Sequence, residues 1–555
     1  MSHLVLIESF TGIFTVKQDI SWKTIGCGFL TGVAFALSGA SPSVAAERLN
    51  LRLGPFEQSI AVSDLEQFAK TGNVPPALQL YSAVLTPELR RALTSRLQLD
   101  PNLGTQIVED LLKSPSGQQV LNSIRQAAPG LSLETLQAGF WLAARQANGL
   151  DAIAVIRAIP QDTVTIDVTQ AVGIASQLNF SYWKTQGIRS LLERSLSSGN
   201  STFRASFDPS IAGSQTVQES FYSFYDAQRD RRLPVDFYWS ATTKPDAPLV
   251  VLVPGFEANR KFLAYLARHL ASHGVTVAAI EHPFVARNGT LSSLNPDRLI
   301  PANEFVDRPK DISFLLDRFE QLNQQPGALQ GKLNARKVSV IGHSLGGFEA
   351  LALAGAELRF DELREFCRTS GLLDRVPADW LQCAAIEQPK NRLSLRDTRV
   401  VQAIALNPAI GQIFGQSGLR SVATPTLILT STDDTLAPAF SQQLQPFLQL
   451  PTPKYLLTAI GTTHLSVSDP GNFTGAIAQG TLVKERRGAE VEPLRRLLQG
   501  VSLAFIQQTT SEAKTYQPFL TPEYARSLSK PDLPLRLNTE LPENLTRWLS
   551  LASMF

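Results

Sequence analysis

Ser344 lies in Gly342-His343-Ser344-Leu345-Gly346, preceded by the apolar run Val338-Ser339-Val340-Ile341 and followed by Gly347-Phe348-Glu349-Ala350-Leu351-Ala352. A strand, a sharp turn and a helix in that order hold a serine hydroxyl where it can act as a nucleophile. The flanking glycines suit a strained turn in which backbone segments approach too closely for a Cβ. Such a serine needs a base to take its proton. Of the six histidines, His3 precedes a leader-like segment and His343 lies inside the turn. His269 and His273 fall on the amphipathic stretch Lys261–Leu270 and beyond, and read as helix surface. His282 and His464 remain. His464 follows the apolar run Tyr455–Ile460 and the flexible Gly461-Thr462-Thr463. An acid to orient the base is expected after another strand. Pro425-Thr426-Leu427-Ile428-Leu429-Thr430-Ser431 leads into Thr432-Asp433-Asp434-Thr435-Leu436-Ala437-Pro438. Side chains alternate along an extended run, so only one of Asp433 and Asp434 can face the histidine. Together these groups describe attack of a serine oxygen on a carbonyl carbon, through a tetrahedral oxyanion.

The strand, Gly-x-Ser-x-Gly and helix resemble the nucleophile elbow of the α/β-hydrolases. The resemblance implies the chain order Ser, acid, His, with the base on a loop after the last strand, and only His464 lies C-terminal to Ser344. It also implies two backbone N–H donors for the oxyanion, one of them from Leu345, the residue after the nucleophile. Leu249-Val250-Val251-Leu252-Val253 is a fully apolar strand ending in Pro254-Gly255-Phe256-Glu257. The Phe256 amide, made accessible by Gly255, is the expected second donor; an ordinary turn at Pro254-Gly255 is the alternative.

Several stretches in the same order are similar to the platelet-activating-factor acetylhydrolase and dienelactone-hydrolase branch. They are Val251–Phe256, the long Leu266–Pro283 with its Ala271-Ser272-His273-Gly274 and Ala278-Ala279-Ile280-Glu281-His282, Gly342–Gly347, and Asp434–Pro438. Phe305–Asp317, a helix opening near Arg308-Pro309, fits the same pattern. The likeness covers roughly 215–465. Its spacing of Asp followed four residues on by Pro selects Asp434 with Pro438 as the acid and leaves Asp433 as the fallback. Where acetylhydrolases continue Glu-His with Arg and Asp, this chain has Pro283 and Phe284. His282 is read as a packed residue fixing the Glu281 turn, the alternative being a polar residue near the mouth of the site. The resemblance implies a serine carboxylic-ester hydrolase working through an acyl-enzyme on a lipid-type ester, without a cofactor. It allows peripheral contact with membrane lipid. The alternatives are a general carboxylesterase or a polyester or cutinase-like hydrolase and, from another class, a non-catalytic binding protein on the same fold. The architecture also looks like that of cyanobacterial hydrolases with a helical N-terminal domain.

A chain of 555 residues exceeds a single core and implies two domains. A net charge of +2 argues against nucleic-acid binding, which uses a basic patch or stripe. No His, Cys or acidic cluster has metal-ligand spacing. Residues 1–45 read as an export leader: Lys17 and Lys23, the apolar Ile25–Leu37, then Ser41-Pro42-Ser43-Val44-Ala45-Ala46, suited to cleavage after Ala45 or Ala46. Export to the periplasm or beyond follows, with an uncleaved anchor as the alternative. Cys27 precedes most of the apolar stretch and is a poor lipoprotein cysteine. The other two cysteines, Cys367 and Cys383, fall between the elbow helix and the strand Val400–Leu406, where this fold often inserts a lid (about 357–397), and a disulfide between them is compatible with export. Residues 46–199 show short, well-punctuated helices and read as a small all-α domain. The catalytic unit is expected over 200–555. It opens with the hairpin Thr216–Tyr225 and Leu233–Trp239, an antiparallel edge on an α/β-hydrolase sheet that is otherwise parallel with helices on both faces. It closes with a helical extension over about 466–555. The run Lys484-Glu485-Arg486-Arg487 reads as a solvated face.

Overall fold

Leu49, Leu51 and Leu53 alternate with Arg48, Asn50 and Arg52, a period of two that buries one face of a strand. In the computed structural model this run is β1 (Arg48–Leu53), paired antiparallel with β2 (Phe56–Ala61) and parallel with β3 (Thr163–Asp167). The structure describes residues 46–82, 121–144, 151–171, 180–196, 203–283, 300–370, 375–471 and 483–552, without 123 and 169 and with 85, 90, 93 and 94 besides. The leader with Cys27 lies outside the described residues.

The all-α expectation for the N-terminal unit is therefore corrected to a three-stranded sheet with helices. The strands were hidden because each is short and the pairing of β1 with β3 is long-range. Helices α1 (Val62–Thr71), α2 (Leu133–Ala144) and α3 (Ala152–Ala158) contribute to the core that covers this sheet, with Leu65, Phe68 and Leu136 buried in it and Ile153 and Ile156 of α3 half-buried against it. Ala61 is the N-cap of α1, and Asp64 accepts its N–H at 3.1 Å. A boundary at 199 also cuts in the wrong place. Helix α4 (Phe180–Ser195) sends Ile188 and Leu192 into the core of the C-terminal unit.

That unit is built on a nine-stranded sheet. The edge hairpin β4 (Val217–Asp226) and β5 (Arg231–Ser240) is followed by β6 (Leu249–Val253), α5 (Ala264–Ser272), β7 (Thr276–Ile280) and α6 (Glu304–Gln324). Next come β8 (Val338–His343) and α7 (Leu345–Ala354), then an insertion of β9 (Glu357–Arg359), α8 (Phe360–Thr369), α9 (Pro377–Cys383) and β10 (Arg392–Ser394). β11 (Val400–Leu406), β12 (Thr426–Ser431) and β13 (Lys454–Ala459) are followed by α10 (Glu492–Gln507), β14 (Leu535–Asn538) and a last helix, Glu543–Ala552, that buries Leu545 and Leu549. The spatial order is β14-β13-β12-β11-β8-β6-β7-β5-β4. The six strands from β13 to β7 run parallel, and β14, β5 and β4 are antiparallel additions at the edges. The C-terminal extension is thus not only helical, because it supplies the strand that closes the β13 edge.

Parallel strands covered on both faces read as continuous apolar runs, because neither face meets water. In β6, Leu249, Val251 and Val253 point into the layer that holds α6 and α7, while Val250 and Leu252 point into the layer of α5 and α10. α7 itself is Leu-, Ala- and Gly-rich and wholly buried, ending on Gly355 at φ 115°. His269 is corrected from helix surface to interior. It is 2% exposed, and its Nε2 meets the Pro209 carbonyl at 3.0 Å because the segment before β4 lies across α5. Among the described residues no helix is long and apolar enough to cross a membrane.

Cys367 on α8 and Cys383 at the end of α9 form a disulfide with a Cα–Cα distance of 5.9 Å. Phe360, Leu363 and Leu381 of the insertion join the same apolar layer as α7. The Cys367→Ser/Cys383→Ser double variant is expected to lose about 3 kcal/mol in urea unfolding, the loop-closure entropy of a link of this size. Reductant should lower the wild type to the same midpoint and leave the variant unmoved.

Candidate active site

Sharp turns at the carboxyl ends of three parallel strands meet here. Glu257 after β6, Ser344 after β8 and Asn407 after β11 all have positive φ, at 57°, 55° and 44°. Non-glycine residues adopt this region only where the surroundings enforce it. At the elbow the cause is backbone contact. A Cβ on Gly342 would stand 1.9 Å from the Gly346 carbonyl oxygen, and one on Gly346 would stand 2.4 Å from that of Val253. The first turn of α7 is therefore laid directly on β8 and on the end of β6, and Ser344 is the residue forced through the bend.

Leu345 is the first residue of α7, so its amide has no carbonyl within the helix to bond. The Pro254-Gly255-Phe256 loop runs past Ser344. A Cβ on Gly255 would lie 3.1 Å from both the Ser344 Cβ and His343 Nδ1. The two expected oxyanion donors, Leu345 and Phe256, thus belong to the two segments that enclose the serine.

The structure separates the two adjacent carboxylates. Asp434, fully buried, accepts the Leu436 and Ala437 amides at 2.9 and 2.7 Å on one oxygen and meets His464 Nδ1 at 2.6 Å with the other. Asp433 points to the opposite side, where Arg189 of α4 donates to it at 2.9 and 3.2 Å. With Nδ1–H directed at Asp434, His464 presents its Nε2 lone pair as the free basic position. Burial works against a charge on His464, but the Asp434 charge and hydrogen bond, with the Glu485 charge, outweigh it and raise its pKa above the ordinary histidine value. Among the described residues no hydrogen bond joins Ser344 Oγ to His464. Contacts of this kind are commonly long in free enzymes and tighten with substrate.

Three further residues hold the His464 loop, and the sequence did not single them out for it. The His464 carbonyl accepts from His343 Nε2 at 3.0 Å and from Asn407 Nδ2 at 3.1 Å. His343 is stacked on Phe262 and lies against the His464 ring, and burial, then the charge of His464, drives its pKa well down, so it serves as a neutral donor. Glu485 accepts from Thr463 Oγ1 and the Leu465 amide. It is 5% exposed, so the solvated-face reading of its charge run is corrected. No local pattern marks Glu485, whose role depends on a loop that precedes it in the chain. His282 is the packed residue expected, 7% exposed and locked between Asp311 and Glu349, while Glu281 beside it pairs with Arg260. Among the described residues no group of three or more His, Cys, Asp or Glu side chains could hold a metal ion.

The chain has the α/β-hydrolase fold, and residues 248–363 match the family described as alpha/beta hydrolase fold. Residues 45–167 match the family described as "Alpha/beta hydrolase of unknown function (DUF1400)". Over 228 residues, 41% of this chain, it is 24% identical to Cutinase 2 of Thermobifida cellulosilytica, covering 63% of that protein. It is equally similar to Cutinase cut1 of Thermobifida fusca, covering 52% of it. A 105-residue stretch is 30% identical to Cutinase est2 of Thermobifida alba, over 19% of this chain and 29% of that one. The chain thus spans less than two thirds of the curated relatives it matches.

The raised His464 pKa sets the expected pH dependence if His464 must be neutral to accept a proton. The acid limb of kcat/KM should have its midpoint above the ordinary histidine value of 6.5. Asp434→Asn should move that limb down and lower kcat by about 10⁴-fold, as loss of the orienting carboxylate does elsewhere. The stability sign is opposite: the charged pair stabilises the fold fully below 6.5, and that contribution is lost as pH rises through the folded-state value.

Proposed function

We propose that this protein is a serine carboxylic-ester hydrolase acting through an acyl-enzyme. The observation that carries the reading is the 2.6 Å Asp434–His464 contact beside a serine held on a strained elbow. Ser344 Oγ attacks the ester carbonyl as His464 takes its proton. The oxygen of the tetrahedral intermediate is received by the Leu345 and Phe256 amides, a contribution of about 3 kcal/mol per donor. The alcohol leaves with the proton from His464, and water, activated by the same base, releases the acid.

Within this class a lipid-type ester is proposed, on the likeness of Leu266–Pro283 to the acetylhydrolase branch. The similarity to cutinases favours a second reading, a polyester hydrolase of cutinase type. A non-catalytic binding protein would have no use for a buried carboxylate spent on orienting one histidine. The Cys367–Cys383 disulfide and the leader-like residues 1–45 support export.

The test is hydrolysis of p-nitrophenyl esters from C2 to C16 by the wild type and Ser344→Ala. Turnover on C2 to C6 that disappears in the variant is the expected result. A preference for C10 and longer would replace the acetylhydrolase-like substrate by a lipase-like one. Release of acid from an insoluble polyester film at a rate above that on soluble esters would favour the cutinase-like substrate. Absence of Ser344-dependent turnover on every substrate would contradict the esterase reading.

A further inference from the structure

A chain of buried charges ends on the loop that carries Phe256, and nothing in the reaction as described uses it. Arg308 of α6 donates to the Pro254 carbonyl at 3.2 Å and, through Nε, to Glu349 at 2.7 Å. Glu349 lies on α7, one and a half turns from Ser344, and its other oxygen meets His282 Nε2 at 2.8 Å. His282 Nδ1 meets Asp311 of α6 at 2.9 Å, and Asp311 in turn takes Arg231 of β5 at 2.7 to 3.0 Å. These five side chains are all at most 10% exposed. Burial opposes charge on His282, but the flanking carboxylates raise its pKa, while Arg308 and His282 hold that of Glu349 down against burial.

A buried ionic chain is a poor way to stabilise a fold, since apolar residues of the same volume commonly do as well or better. What it supplies is fixed geometry. The segment it fixes needs fixing, because Gly255, next to Pro254, has the widest conformational freedom of any residue. The first turn of α7 confines the Pro254 carbonyl as well: a Cβ on Gly346 would lie 2.8 Å from its oxygen. Arg308 therefore joins the turn that follows β6 to the helix that follows the nucleophile, through Glu349.

We propose that Arg308, held in place by Glu349 and His282, is the positioning residue of the oxyanion-binding loop. By clamping the Pro254 carbonyl it fixes the peptide plane that enters Gly255, and with it the direction of the following Phe256 amide toward the oxygen that becomes negative when Ser344 attacks. Ground-state binding of an ester needs little of this contact; the transition state needs all of it. This rests on the esterase reading above.

The test compares wild type, Ser344→Ala, Arg308→Lys and Glu349→Gln on p-nitrophenyl butyrate. Rates of the proteins that keep Ser344 are normalised to the sites titrated by a fluorophosphonate, so unfolded protein does not count; Ser344→Ala gives the background per chain. Lysine keeps a charge for Glu349 but lacks the fork that also reaches Pro254. Arg308→Lys is expected to lose about 100-fold in kcat per titrated site, the scale of an ångström-size misplacement, with KM within about threefold. Affinity for a trifluoromethyl ketone, which forms an oxyanion on Ser344, should weaken in step. Glu349→Gln should show the same split more mildly, and it carries the test if Arg308→Lys does not fold. Unchanged kcat per titrated site in both variants would overturn the proposal, as would a loss confined to KM. Wild type without Ser344-dependent turnover would overturn the esterase reading, and this proposal with it.

Discussion

The backbone of α7 touches the backbone of β8 and of the β6 turn with no room for a side chain between them. That contact decides where everything else at the site must be. It forces Ser344 into a positive φ, frees the first amide of α7 from any partner within the helix, and presses Gly255 against the serine. A Cβ at Gly342 or Gly346 would have to displace backbone, not a movable side chain, so the elbow tolerates no compromise at either position.

Around this fixed point, polar groups are tied in two buried arrangements that do not share residues. On one side, Asp434 and Glu485 hold the His464 loop, and the His464 carbonyl is secured by His343 and Asn407. On the other, the Arg308 chain secures the Pro254 carbonyl. His343 connects the first arrangement to the elbow, since it precedes Ser344 and donates to the His464 carbonyl. The insertion adds a third support, with the Ala378 amide donating to the Leu436 carbonyl next to Asp434, and the disulfide staples that insertion.

Much of this was legible in the residues because the signals are local. Apolar runs too short for helices marked the parallel strands, and Gly-x-Ser-x-Gly after such a run marked the elbow. The hairpin of β4 and β5 showed as alternation about a polar turn. The choice between Asp433 and Asp434 rested on family spacing alone. The structure adds the physical reason for their different surroundings: Arg189 on a distant helix takes Asp433. What could not be read depends on long-range pairing. β1 needs β3, β13 needs β14, and Glu485 is buried only because Thr463 and Leu465 offer it donors. His282 and Glu349 each looked like an ordinary residue in its own segment; their meaning lies in a charge chain drawn from four elements.

The proposed chemistry stands or falls on Ser344 being an activated nucleophile whose base is His464. It is tested most directly by treating the protein with a fluorophosphonate and locating the adduct by peptide mass spectrometry. One phosphonyl group per chain is expected, on the peptide that contains Ser344, with loss of that adduct in His464→Ala. An unmodified Ser344, or a reaction with Ser344 that proceeds equally well without His464, would contradict it.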